Sequence, residues 1–376
     1  MLPEEQNIVM SLPSHHERLA LLEEDVLKGG ALSTSKSWRK AKPITLKWTA
    51  TGCDKAPWTV RIGKTSDLLN SRLWHLDKTY PVATNGVVEF VVPMANLEVG
   101  TRYYWQVSCR RKCKKFACSI LCGCDESKQV SRSEIASFVT EDKAPRWIAV
   151  EGRVANIRDL GGRWTSFGKR VKQGMIFRGQ ALNDNSATGE TQGPNRLTVE
   201  DVKYLTGTLG IKTDLDLRNK GEIVDLTESP LGSTVRLIHN SSKSYRQMFE
   251  QVEAKTAMAK NFRLFCNPTN YPVYFHCIAG SDRTGTLAYI LNGVLGVSRH
   301  ELETDWESTF YPTLVEMRPD YTGHDYWINL HHLDEGFSKY GGEKATWTER
   351  IVAYLKSECG ISNEEIEYFR SIMLER

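Results

Sequence analysis

His276-Cys277-Ile278-Ala279-Gly280-Ser281-Asp282-Arg283-Thr284-Gly285 decides the fold of the larger half of this chain. An apolar strand, Tyr271 to Phe275, runs into the stretch, and a helical run, Thr286 to Leu295, leaves it. A nucleophilic sulfur therefore sits on a tight turn between a strand and a helix N-terminus, where backbone N–H groups converge. Five residues separate Cys277 from Arg283, so the loop can wrap a tetrahedral anion with the guanidinium as a bidentate clamp. A Cys and an Arg at that separation arise easily by chance in a chain with nine cysteines. The preceding His276, the mid-loop Gly280 and the following Thr284-Gly285 are features a structural cysteine does not need. Phosphate-ester cleavage through a phosphocysteine is the chemistry this arrangement suits.

Each residue then has an expected task. Cys277 attacks phosphorus as a thiolate; a free thiol titrates near ~8.5, and a helix N-terminus beside Arg283 lowers that. His276 orients the loop, while Ile278, Ala279, Gly280 and Ser281 offer backbone amides. Arg283 binds the equatorial oxygens, where charge stabilisation is the largest catalytic contribution. Thr284 donates its hydroxyl to the sulfur when the thiolate leaves. The leaving oxygen needs a proton from a carboxylic acid within reach. Asp282, fixed inside the loop, is one candidate, although it could equally brace the loop or pair with Arg283. Asp216 is the other, at the C-terminal end of the apolar strand Asp214-Leu215-Asp216-Leu217-Arg218, where open α/β sheets place their sites.

The stretch resembles the phosphate loop of the bacterial tyrosine-protein phosphatases that carry an Asp inside it. Three upstream segments extend the resemblance over residues 146–376: Asn156-Ile157-Arg158-Asp159-Leu160-Gly161-Gly162, Ile176-Phe177-Arg178-Gly179-Gln180-Ala181-Leu182, and Asp216-Leu217-Arg218 with Glu222. It implies an α/β domain with a central, mostly parallel sheet flanked by helices. It also implies Cys277, Asp282 and Arg283 as the catalytic set, with Arg178, Asp159, Asp216 and Arg158 around the pocket. The substrate is then a phosphorylated protein or peptide, and neither half-reaction needs a metal or organic cofactor. Two positions depart from the pattern. Ser281 stands where many relatives carry Lys, which lowers the charge of the cradle and tilts the expectation toward phosphotyrosine. Gly179-Gln180 occupies a position that is Ser-Gly in relatives. Plainer readings exist for two pairs: Arg158 with Asp159 as an ion pair at the turn, and Arg218 with Glu222, four apart, as a local helix pair. The rival functions are a phosphoinositide or inositol-polyphosphate phosphatase, or an inactive phosphate-binding or adhesion module.

The first 145 residues read differently. Residues 13–28 form an amphipathic helix pattern, with Ser14 and Glu17 as a capping box and Gly29-Gly30 as the stop, within a lead-in of residues 1–40. From Ile44 the apolar period becomes two: Ile44, Leu46 and Trp48; Val60 and Ile62; Val88, Phe90 and Val92; Tyr103, Trp105 and Val107; and a strand from Ile135 to Thr140. Short alternating strands of this kind predict an all-β sandwich over residues 41–140. Leu97-Glu98-Val99-Gly100-Thr101-Arg102-Tyr103 resembles the corner of fibronectin type III domains, whose Tyr makes a hydrogen bond, with Val99 in place of the usual Pro. Glu141 to Pro145 is the linker. Cys109, Cys113, Cys118, Cys122 and Cys124 crowd a hairpin loop; they suit a structural Zn²⁺, two disulfides or free thiols, and the spacing leaves the three open.

Composition narrows the class. Hydrophobic residues make up 40% and charged residues 25%, ordinary for a soluble two-domain chain. Lys and Arg number 21 against 16 Asp and Glu over residues 1–145, and 28 against 30 beyond. The basic excess at Arg110, Arg111, Lys112, Lys114 and Lys115 lacks aromatic platforms, so no nucleic-acid partner is expected. No stretch approaches the ~18–20 apolar residues of a membrane span, and no secretory signal is visible. The expectation is a cytoplasmic protein, with export the alternative if a signal has been removed.

Overall fold

The computed structural model describes residues 44–50, 57–77, 79–83, 85–93, 95–110, 130–183, 196–223, 226–309 and 323–376. Among these, two compact units divide the chain, one over residues 44–142 and the other over 143–376.

The first unit is built from strands β1 (Ile44–Thr49), β2 (Trp58–Gly63), β3 (Arg72–Leu76), β4 (Val87–Val92), β5 (Arg102–Arg110), β6 (Val130–Arg132) and β7 (Ala136–Val139). β1 pairs antiparallel with β4. A second sheet runs β3-β2-β5, with both β6 and β7 on the far side of β5. Alternation sends every second residue inward, as period-two reading requires. Leu46, Val88 and Phe90 from the first sheet thus share one core with Val60, Ile62, Trp105 and Val107 from the second. The Glu98 N–H donates to the Tyr103 hydroxyl over 2.9 Å, closing the expected corner. Sequence reading missed β3, an edge strand whose Leu73 is 45% exposed, so its apolar alternation is blurred. Cys109 is disulfide-bonded. The other four cysteines of the cluster, and the helix expected over residues 13–28, lie outside the described residues.

The second unit carries strands β8 (Arg146–Trp147), β9 (Arg158–Asp159), β10 (Ile176–Gly179), β11 (Thr213–Asp216), β12 (Arg236–His239) and β13 (Val273–His276). Its helices are α1 (Val199–Lys203), α2 (Tyr245–Glu250), α3 (Val252–Phe265), α4 (Asp282–Val294), α5 (Arg299–Glu307), α6 (Gly323–Ser338), α7 (Trp347–Cys359) and α8 (Asn363–Met373). The sheet order is β12-β11-β13-β10-β9-β8. Its first four strands are parallel, β9 runs antiparallel to β10, and β8 antiparallel to β9. Both faces are covered, which is why the parallel strands read as unbroken apolar runs. Val273, Phe275, Ile176 and Leu215 face a core shared with α3, α4, α7 and α8. Phe177 and Tyr274 face the other, beside Tyr204 and Leu205 just beyond α1.

Helix α4 begins at Asp282, four residues before the start expected from the sequence. Asp282-Arg283-Thr284-Gly285 reads as loop because it is polar, but the first helical turn needs no apolar face where its free N–H groups serve a ligand. From Thr284 onward the helix is buried throughout. Among the described residues no helix is long and apolar enough to cross a membrane.

Candidate active site

The loop from Cys277 to Arg283 leaves β13 at the C-terminal edge of the parallel strands, the edge where such sheets bind ligands. Cys277 is only 2% exposed. What shapes the loop is where its carbonyls go. The Leu217 N–H donates to the His276 carbonyl (2.8 Å) and the Ala181 N–H to that of Ile278 (2.9 Å). His276 Nδ1 bonds the Cys277 carbonyl (3.0 Å). Asn156 Nδ2 donates to the carbonyls of Ala279 and Gly280, both at 3.2 Å. Arg178 adds a second donor to Gly280 (2.7 Å), and the Gly285 N–H takes the Ser281 carbonyl. With every carbonyl from His276 to Ser281 engaged on the outside, the peptide planes turn their N–H groups inward. The amides of Ile278, Ala279, Gly280 and Ser281 donate to no acceptor among the described residues. That ring of amides is an anion-binding nest.

Two glycines permit the geometry. Gly280 has φ +69°, and a Cβ there would lie 2.2 Å from the Gly179 carbonyl. A Cβ on Gly179 would meet the Tyr274 hydroxyl at 2.3 Å. The departure at Gly179-Gln180 therefore leaves a defined turn: Gln180 accepts from the Ala155 N–H through Oε1 and from the Tyr274 hydroxyl through its carbonyl.

Arg283 forms a fork with Glu222, Nη1 to Oε2 at 2.5 Å and Nη2 to Oε1 at 2.9 Å. Burial opposes the charge of both partners, but their pairing wins, raising Arg283 and holding the Glu222 carboxyl below its usual range. Glu222 thus pairs with the loop rather than with Arg218, as a local helix pair would require. Arg218 precedes the short 3₁₀ turn Lys220–Glu222, so no α-helical spacing joins the two. Arg218 instead wraps Asp216, with Nη2 to Oδ2 at 2.7 Å, and reaches Asn183 Oδ1 at 2.9 Å.

These contacts favour the ionised form of Asp216. Burial raises its pKa, yet His276 and Arg218 outweigh that and hold it below the ordinary carboxylate range. A buried, arginine-wrapped carboxylate is a poor proton donor, whereas a leaving-group acid must carry a proton at the moment of cleavage. His276 Nε2 lies 3.1 Å from Asp214 and Nδ1 3.9 Å from Asp216. Burial disfavours the imidazolium, but the two carboxylates raise it above an ordinary histidine. Asp282, half-buried at the head of α4, accepts from the Tyr245 hydroxyl at 2.7 Å. The Arg283 fork itself is taken by Glu222, while the nearby Asp282 charge also helps to keep that guanidinium charged. Thr284 is fully buried, and its hydroxyl has no protein partner among the described residues. Ser281 is 3% exposed and does not face solvent.

Arg158, Asp159 and Arg178 stand behind the loop. Arg158 and Asp159 are neighbours in β9, and successive strand residues face opposite sides, so they do not pair. Asp159 accepts from Arg146 (3.2 Å) and from the Gly161 and Gly174 N–H groups, which pins the Gly161-Gly162 turn. Arg158, Arg163 and Arg178 all converge on Asp305 in α5, at 2.9, 2.9 and 2.6 Å. Burial and the neighbouring Arg178 pull Arg158 down to about 9, while the three guanidiniums overcome burial to hold Asp305 far below the carboxylate range. Arg158 also bonds Asn156 Oδ1, so the cluster reaches the loop through both Asn156 and Arg178. Sequence reasoning assigned no role to Asn156, Tyr245 or Asp305. Asn156 had a signal, since Asn tolerates the left-handed φ of +62° it adopts here; Asp305 had none.

A parallel sheet whose edge presents an amide-lined loop around a cysteine, with an arginine at its end, defines a cysteine-dependent phosphatase. Residues 148–375 match the tyrosine phosphatase family, and the chain belongs to it; it is a phosphatase hydrolase. An inferred tyrosine-protein phosphatase of Cupriavidus necator is 26% identical over 198 residues, covering 45% of this chain and 67% of that protein. The core catalytic domain of the PP-IP phosphatase Siw14 from S. cerevisiae, crystallised with citrate, is 16% identical with a TM-score of 0.27. That match covers 43% of this chain and 88% of that domain, and at such a score it carries no argument.

Proposed function

We propose that the second unit hydrolyses phosphotyrosine esters through a phosphocysteine on Cys277. The observation that carries this reading is the outward tethering of six consecutive carbonyls, His276 to Ser281, which leaves inward amides around a buried sulfur. A phosphoryl group entering the loop meets those amides and draws Arg283 from Glu222 onto its equatorial oxygens. The Cys277 thiolate forms the S–P bond as the P–O bond to the leaving group breaks, and the Asp282 proton passes to the departing oxygen. Water then attacks phosphorus, giving one proton to the Asp282 carboxylate; the S–P bond breaks and Thr284 steadies the leaving thiolate. Atoms and protons balance with these residues alone, so no cofactor enters the proposal.

Ser281 supports phosphotyrosine over phosphoinositides or inositol polyphosphates. It is buried in the loop itself, where a lysine would add a charge facing a second phosphate. The two-sheet first unit with its Tyr103 corner supports a fibronectin type III-like module that binds or spaces rather than catalyses. The test is a substrate panel of phosphotyrosine peptide, phosphoinositide and inositol hexakisphosphate, with Cys277→Ser as control. A higher kcat/KM for the peptide is the expected result. Preference for either inositol substrate overturns the assignment, and equal turnover by Cys277→Ser overturns the thiolate mechanism.

A further inference from the structure

Tyr245 stands outside the loop, yet it is tied to it at two points. It opens α2 with a backbone φ of +51°, a left-handed conformation that a bulky L-residue adopts only when its surroundings impose it. Its hydroxyl donates to Asp282 Oδ1 at 2.7 Å, and its backbone N–H reaches Thr286 Oγ1 at 3.4 Å. Both acceptors lie on the first turns of α4. The ring, 8% exposed, stands edge-on to Trp306 at 6.2 Å, and Trp306 in turn packs against Gly285 of the same helix. Backbone, ring and hydroxyl thus all register Tyr245 against the segment that carries Asp282. Strain in such a setting points to function.

We propose that Tyr245 is a positioning residue for the phosphatase reaction: its hydroxyl holds the Asp282 carboxyl in the one orientation from which it gives a proton to the leaving oxygen and later takes one from the attacking water. The choice of a phenol follows from that double duty. A tyrosine hydroxyl donates to a carboxylate and accepts from a carboxylic acid, so the contact survives both protonation states of Asp282. A lysine or arginine has no acceptor for the acid's O–H, and its charge would favour the ionised form. This inference rests on the reading of Asp282 as the leaving-group acid.

The test compares para-nitrophenyl phosphate, whose leaving group needs little protonation, with phenyl phosphate, whose leaving group needs it. Tyr245→Phe keeps the ring and its packing on Trp306. It should lower kcat on phenyl phosphate about ten- to a hundredfold, the scale of one hydrogen bond to a charged group, with kcat on para-nitrophenyl phosphate and both KM values nearly unchanged. In an Asp282→Asn background the same change should add nothing, since the group it orients is gone. Equal loss on both substrates, or a loss that multiplies with Asp282→Asn, overturns the proposal and leaves Asp282 as the acid. Absence of leaving-group dependence in Asp282→Asn alone overturns the reading beneath it as well. Thr286→Val, which removes the backbone anchor and spares the phenol, covers the case of a Tyr245→Phe chain that does not fold; it should show the same selectivity in smaller measure, and uniform loss on both substrates counts against the idea.

Discussion

Ser281 and Cys277 are four residues apart in one loop, and their substitutions read out different things. Cys277→Ser removes the nucleophile and spares the amides and Arg283. Turnover of para-nitrophenyl phosphate should fall by about a thousandfold or more, while inhibition of ligand exchange by inorganic phosphate persists in binding measurements. Ser281→Lys adds an ammonium inside the cradle. A charge-assisted contact with a second phosphate is worth roughly 1.5–3 kcal/mol, so the phosphoinositide-to-phosphotyrosine ratio of kcat/KM should rise about tenfold. An unchanged ratio ends the argument from Ser281. At this scale the loop was legible, because the order His-Cys, Gly, Asp-Arg-Thr-Gly has few other uses. The partner of Arg283 was not, since Glu222 is 61 positions away and only the folded sheet brings β11 beside β13.

Elements hold the loop in two ways, and each makes a prediction. At the C-terminal ends of β11 and β13, His276 sits between Asp214 and Asp216 with its pKa raised. A raised folded value means that the charged pair contributes its stability fully below the ordinary histidine pKa of about 6.5. That contribution disappears as pH rises through the folded value. The melting temperature should therefore decline above about pH 6.5, and His276→Asn should flatten the decline; parallel profiles for the two proteins refute the assignment. Behind the loop, Asp305 on α5 holds three buried guanidiniums. Removing one partner of a buried ionic set costs about 3–5 kcal/mol, so Asp305→Ala should lower the urea midpoint by that equivalent and loosen phosphate binding through Arg178. Asp305 was invisible in the sequence for a physical reason. Glu301, Glu303, Asp305 and Glu307 all lie on one short polar helix, and nothing in their spacing says which acid turns inward until the arginines of β9 and β10 arrive.

Across the whole molecule, each unit has its own core, and the division between them falls near residue 143. Tyr103→Phe deletes the corner hydrogen bond and should destabilise the first unit by about 0.5–1.5 kcal/mol. kcat/KM on para-nitrophenyl phosphate should stay within about twofold, because the loop and every side chain placed around it belong to the second unit; a larger drop shows that catalysis depends on the first unit. Period-two alternation revealed β1, β2, β4, β5 and β7, because half-buried strands advertise their faces, whereas β3 on the rim and the three-residue β6 did not. In the second unit the parallel strands were found from their motifs rather than their pattern, since burial on both sides erases alternation. By residue count the C-terminal half is slightly acidic, 28 basic against 30 acidic side chains beyond residue 145. Behind the loop the balance is locally inverted: Arg158, Arg163 and Arg178 meet one buried carboxylate, with Glu301 at the rim 3.8 Å from Arg163. Mobile ions do not enter beneath the loop, so over short distances this positive ground is screened far less than surface lysines are. A phosphate seated in the loop would feel that field with little loss to salt, so added salt should slow its arrival more than it hastens its escape.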